Sequence, residues 1–179
     1  MRKHNGMRPQ DIAILLKIVA IGNKHWNLME LSSTLYISIS DVSESLNRSK
    51  LSKLISNSKK EVNLLNLLEF FEHGIKYVFP QSPGTLLRGI PTAHSHPVLS
   101  NYVVSEIPFV WPDPEGKILG LAIEPLYSNL TQAIKTDNIY YELMALVDAI
   151  RVGKTRESEF SVKKLKHHFD ASLHQLSTH

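Results

Sequence analysis

The chain has 179 residues, 42% hydrophobic and 21% charged, with no cysteine and a formal net charge of +3. These values exclude a disulfide scaffold, a Cys-ligated zinc or iron–sulfur site and a thiol nucleophile, and they do not fit a disordered chain. No apolar run approaches the roughly 18–20 residues that span a bilayer, and the start Met1-Arg2-Lys3-His4-Asn5-Gly6 is too polar for a secretory signal, so a soluble cytoplasmic protein with no membrane contact is expected.

The small net charge hides a division. Residues 1–60 carry 10 Lys/Arg against 4 Asp/Glu, residues 61–150 carry 4 against 10, and residues 151–179 carry 6 against 3. A basic segment beside an acidic one is a hint of nucleic-acid contact by the basic part, although a solvated basic surface gives the same count. Eight of the nine prolines lie between Pro80 and Pro125, which excludes a long helix there. The expected class is mainly α (α+β). It divides into a helical head (1–75), a proline-rich, α-poor middle with short strands (76–126) and a helical tail (127–179).

The head opens with three helices that share start signals. Pro9 suits the first helical position and Asp11 the first turn; Ile12, Leu15, Leu16 and Val19 recur at helical spacing, and Gly22 closes the helix. Asn27 and Glu30 form a capping box for the second helix, with Trp26 placed to staple onto Leu31. Ser38 caps the third, Asp41 takes the acidic third position, and Ile37 is placed to staple onto Val42. The second helix spans about Leu28 to Leu35, leaving Tyr36-Ile37 as a tight turn. Two short helices joined this way form a helix-turn-helix.

The stretch from Leu31 to Leu46, LSSTLYISISDVSESL, resembles the helix-turn-helix of bacterial winged-helix regulators, including those of MarR type. Ser32 stands where those families carry a small residue, usually Ala, and Lys53 stands before Leu54-Ile55 where they commonly carry Gly. The resemblance covers about residues 8–75. It implies a winged helix-turn-helix that binds double-stranded DNA as a homodimer, with the third helix in the major groove.

At about 100° per residue, Val42 and Leu46 face one side of the third helix, and Ser40, Glu44, Asn47 and Arg48 face the other. Leu51 falls about 180° from Val42, so the helix either ends near Lys50 or packs on two sides. Serine and asparagine bond phosphates or base edges, and arginine or lysine forks onto guanine or neutralises phosphate. The candidate DNA contacts are Ser38, Ser40, Ser43, Asn47, Arg48 and Lys50, with Lys59 and Lys60 at the tip of a basic stretch (Ser56 to Glu61) that suits either a wing or an ordinary surface loop. Asp41 and Glu44 repel phosphate, so they are assigned to capping and at most to base selection. The run from Val62 to Phe71 leaves only a thin polar stripe through Asn63, Asn66, Glu69 and His73. It predicts a helix ending at Gly74, buried around most of its circumference, against the middle or a second chain.

Lys76–Phe79, Tyr102–Val104, Phe109–Trp111 and Lys117–Ile123 are β-prone runs, with a turn at Pro112-Asp113-Pro114-Glu115-Gly116. Between Gly84 and Pro97 the chain is distinctive without matching a motif. His94 and His96 lack an evident third metal ligand, with Glu106 and Asp113 as ordinary surface acids nearby. Ser95 lacks the Gly-x-Ser-x-Gly elbow of a hydrolase. Gly153-Lys154-Thr155 ends like a phosphate loop. Asp148 occupies the place of the first glycine, however, and Ile139, Leu143, Leu146, Val147 and Ile150 mark a helix capped by Asp137. His167-His168 follow the basic run Lys163-Lys164-x-Lys166, which suits a solvated helix face. Val162, Leu165, Phe169, Leu173 and Leu176 form one seam, for pairing with the preceding helix or with a second chain.

These patterns lead to a sequence-specific transcription regulator, a homodimeric repressor, with no catalytic residue, metal or cofactor. The alternatives are an antitoxin-like autoregulator that also binds a partner protein, and a metal hydrolase using His94 and His96.

Overall fold

Proline at the first helical position and a left-handed glycine (φ +66° at Gly22) delimit α1 (Pro9–Ile21). The computed structural model describes residues 6–103 and 107–176, with side chains as far as residue 171. In α2 (Leu28–Leu35) the Asn27 side chain accepts from the Glu30 N–H at 3.0 Å, and the Glu30 carboxylate accepts from the Asn27 N–H at 3.0 Å. Tyr36, left-handed at φ 55°, turns the chain, and Ser38 caps α3 (Ile39–Leu51) by accepting from the Asp41 N–H at 3.1 Å. Trp26, Leu31, Ile37 and Val42 are all buried, as the staple positions require. Beyond α3 a single antiparallel bridge, Ile55 to Val62, closes a small hairpin in which the Ser56 N–H donates to the Glu61 carbonyl at 2.8 Å.

Helix α1 is not an amphipathic surface helix. Every residue from Asp11 to Ile18 is buried, because α1 packs against α2 and α3 and also against α8 (Asn138–Val152). Polar groups fasten this contact: Lys17 Nζ lies 2.7 Å from Asp137 Oδ2, and the Tyr140 hydroxyl donates to the Ala13 carbonyl at 3.1 Å. One hydrophobic core therefore runs from Ile12 through α8 to Phe169.

Several expected elements come out differently. The helix after the hairpin, α4 (Leu64–His73), buries only Leu64, Leu67 and Phe71, and Leu65 is 72% exposed, so it is one-sided within this chain. Lys76–Phe79 is no strand. The chain continues from α4 through Gly74 into α5 (Ile75–Val78), where the Tyr77 and Val78 N–H groups donate to the Gly74 carbonyl. Tyr102 lies in a turn whose N–H bonds the Leu99 carbonyl, just past α6 (Pro97–Ser100), and Val104 is outside the described residues.

Three short strands do form: β1 (Leu86–Pro91), β2 (Phe109–Pro112) and β3 (Ile118–Ala122). β1 pairs antiparallel with β3 through its first half and with β2 through its second, while β2 and β3 pair in parallel, closing a miniature ring. Glycine permits this closure. A Cβ on Gly89 would stand 2.0 Å from the Trp111 carbonyl oxygen, and one on Gly116 would stand 2.3 Å from the Gly89 Cα. After α7 (Leu130–Ala133), Asp137 caps α8 by accepting from the Tyr140 N–H at 2.9 Å. The final helix, α9 (Thr155–Leu176), lays Leu165 and Phe169 on α8, so this part of the seam is filled within the chain. Leu173 and Leu176 lie outside the described side chains. The fold is thus mainly helical with one small sheet, an α+β chain. Among the described residues no helix is long and apolar enough to cross a membrane.

Candidate nucleic-acid interface

The inner side of α3 is set by Val42 and Leu46, both buried against α1 and α2, with Ser45 and Ser49 buried beside them. Small side chains at Ser45 and Ser49 let α3 approach its neighbours closely. What remains outward is a ridge of Ser40, Glu44, Asn47 and Leu51, all exposed, with Leu51 at 67%. The ridge follows from helical spacing, since these four fall within about 60° of one another. Leu51 therefore ends the helix on the solvent side.

Of the candidate contacts, Ser38, Ser40, Asn47 and Lys50 are exposed and Ser43 is half-buried. Ser38 is already engaged, its hydroxyl donating to Asp41 Oδ2 at 2.7 Å while it caps the helix. Lys59 sits half-buried at the hairpin tip with a left-handed φ of 59°. Lys60 is turned back toward the head, its Nζ donating to the Trp26 carbonyl at 3.2 Å and lying 4.4 Å from the Trp26 ring centroid.

Arg48 is the correction. Helical spacing puts it about 80° from Ser40, on the border of the exposed face, and the structure turns it inward, 8% exposed. Its Nε and Nη2 donate to the two carboxylate oxygens of Asp11 at 2.9 and 2.7 Å, and Asp11 is fully buried. Asp11 also accepts from the Arg8 N–H at 2.9 Å. A guanidinium clamped by a buried carboxylate is held still more firmly in its charged form, chiefly through the hydrogen bond to Asp11. The pair joins α3 to α1 across 37 residues of sequence and leaves Arg48 unavailable as a free surface cation.

Lys53 takes up part of that role. It is exposed beside Lys50, just past α3, at φ 58°. A left-handed backbone is one that glycine reaches without a Cβ penalty, so Lys53 holds it at a cost. Lys53 was legible only as standing where the resembled motif commonly carries glycine.

The histidines of the middle are occupied locally. His94 pairs Nε2 with the Ile107 carbonyl at 3.1 Å and packs on Phe109. His96 accepts from the Val98 N–H at 3.1 Å through Nδ1 and meets Tyr141 edge-on, and burial pulls it down to about 4. The Ser95 hydroxyl accepts from the Phe109 N–H at 2.8 Å. Asp113, expected at the surface, is buried and accepts from the Glu115 N–H at 2.8 Å as a turn former. Glu106 lies outside the described residues. Among the described residues no group of three or more His, Cys, Asp or Glu is placed to hold a metal ion. His168, in the tail, lies 2.8 Å from Glu142 Oε1, and that contact holds the Glu142 carboxyl below its ordinary range.

No family model, curated protein or solved structure matches this chain.

Proposed function

We propose that the protein is a DNA-binding transcription regulator that places α3 in the major groove and the Ser56–Glu61 hairpin on the flanking backbone. One observation carries this reading: α3 is fixed on its inner side by apolar residues and a buried ion pair, while Ser40, Glu44 and Asn47 on its outer side stay exposed, with exposed lysines at its C-terminal end. A helix held this rigidly, with its hydrogen-bonding side chains facing outward, is what reading base edges requires. Lys50 and Lys53 stand at the C-terminal end of the ridge, and Lys59 stands at the hairpin; lysines so placed suit phosphates, which orient the protein and supply most of the affinity.

The reading includes a homodimer, because two-fold operators are bound by two-fold proteins. In support, Leu65 on α4 and Tyr77 and Val78 on α5 are 72%, 72% and 52% exposed, apolar side chains that a second chain would cover.

The test is an anisotropy titration of the purified chain with duplex DNA at several salt concentrations. Affinity is expected to fall by at least about tenfold between 50 and 200 mM salt. No binding at low salt, or binding indifferent to salt, would overturn the proposal.

A further inference from the structure

Resting on the DNA-binding reading, we infer that the base-reading ridge recognises the amino groups of adenine and cytosine and not the acceptor edge of guanine. Three features of α3 lead there. The commonest specific contact to guanine is a fork from arginine or lysine onto O6 and N7, and the helix's one arginine is spent on Asp11 through both of its short hydrogen bonds. The ridge itself carries one acceptor-only group, the Glu44 carboxylate, beside the Ser40 hydroxyl and the Asn47 amide, which both accept and donate, all exposed. In the major groove the donors are adenine N6 and cytosine N4. Asparagine pairs with adenine N6 and N7 together, and a glutamate accepts from cytosine N4.

The remaining cation of α3, Lys50, does not restore guanine reading. It lies about 80° off Ser40 around the helix axis, near the C-terminal end and beside Lys53. Base contacts in a recognition helix come mainly from its N-terminal part, so a lysine pair at the far end suits phosphates. Glu44 supports the same choice from the opposite direction. A carboxylate on the ridge is repelled by the guanine acceptors and by phosphate alike, and it is tolerated only where a base donor meets it. Its nearest cation is the inward-turned Arg48, with Nη1 at 3.8 Å.

The experiment is selection from a randomised duplex library with the full chain, followed by the same selection with Asn47→Ala and with Glu44→Gln. Wild type is expected to enrich half-sites with adenine and cytosine at the positions facing α3. Asn47→Ala should reduce the preference at the adenine position by about 10- to 100-fold, and Glu44→Gln should relax the cytosine position. Both substitutions are at exposed sites, and unchanged circular dichroism and melting would show that the fold persists. Binding lost when the guanines of the enriched motif are replaced by 7-deazaguanine, which lacks the N7 acceptor, or salt-dependent binding with no enriched motif, would overturn this inference while leaving DNA binding standing. Failure to retain any duplex at low salt would overturn the DNA-binding reading as well.

Discussion

Asp11 in the head and Asp148 in the tail are both fully buried and both face an arginine, yet they hold different kinds of structure together. Asp11 collects donors from the head alone: the Arg8 N–H and the Arg48 guanidinium. It therefore sets the attitude of α3 on α1. Asp148 joins separate regions, accepting from Thr92 Oγ1 at 3.0 Å and Trp111 Nε1 at 2.5 Å, with Arg151 Nη1 at 2.7 Å. Arg151 in turn donates from Nε to the Phe79 carbonyl at 3.0 Å, so the ring of strands is moored to α8 and to the end of α5 by one network. Burial pushes the Asp148 carboxyl upward, opposed by Arg151, Trp111 and Thr92. The difference shows two uses of a buried charge: one sets the attitude of a helix whose outer side is exposed, and the other fastens a region with little secondary structure of its own.

The largest expected effect separates these uses. Asp148→Ala leaves the buried Arg151 charge without its counter-ion and Trp111 and Thr92 without their acceptor, and should lower unfolding free energy by about 3–5 kcal/mol in urea denaturation. DNA affinity of the folded fraction should be unchanged. Asp11→Asn should cost less, about 2 kcal/mol, because the amide keeps one acceptor, but it should change which duplexes are selected once Arg48 is freed. If both substitutions altered stability and DNA selection equally, the division between the pairs would fail.

A second effect lies in the middle. His96 is held neutral, at about 4 against an ordinary 6.5, and the unfolded chain therefore binds more protons between those pH values. Stability from this site is present above about pH 6.5 and is lost as pH falls toward 4, by on the order of 3 kcal/mol. Chemical denaturation at a series of pH values should show the loss, and His96→Gln should flatten it. A loss of equal size in the variant would assign the pH dependence to other groups.

The smallest effect sharpens the head. Lys53→Gly removes a side chain from a left-handed site and should stabilise by about 1 kcal/mol in thermal melts. The same substitution should reduce the salt dependence of DNA binding by about one counterion. Destabilisation would mean that the Lys53 side chain contributes packing that outweighs its backbone conformation.

Legibility followed the range of the signals. Asn27–Glu30 and Ser38–Asp41 act over three residues, and the boundaries of α2 and α3 fall where these caps put them. The α8 cap at Asp137 is of the same kind. Arg48 was set on the wrong face because its partner lies 37 residues away, and Asp11 already had a local explanation as a first-turn acid. Lys76–Phe79 has strand-forming side chains, but α4 leads straight into it through Gly74, and helical continuation wins over residue preference. The Gly84–Pro97 stretch carries no recognisable pattern because its order comes from distant groups: backbone pressed against Gly89, Asp148 on Thr92, and the Tyr141 hydroxyl on the Pro91 carbonyl. The ridge on α3 was readable except at its one arginine, and that exception changes the expected DNA preference.

The central claim is that α3 and its hairpin, and not the basic stretch Lys163–Lys166 of α9, meet DNA. The most direct measurement is a ¹⁵N amide titration of the full chain with a duplex that it binds. The account predicts shifts concentrated at Ser40, Ser43, Glu44 and Asn47 and in the Ser56–Glu61 hairpin, with β1 and β3 unmoved. Shifts confined to α9, or spread evenly with none on α3, would contradict it.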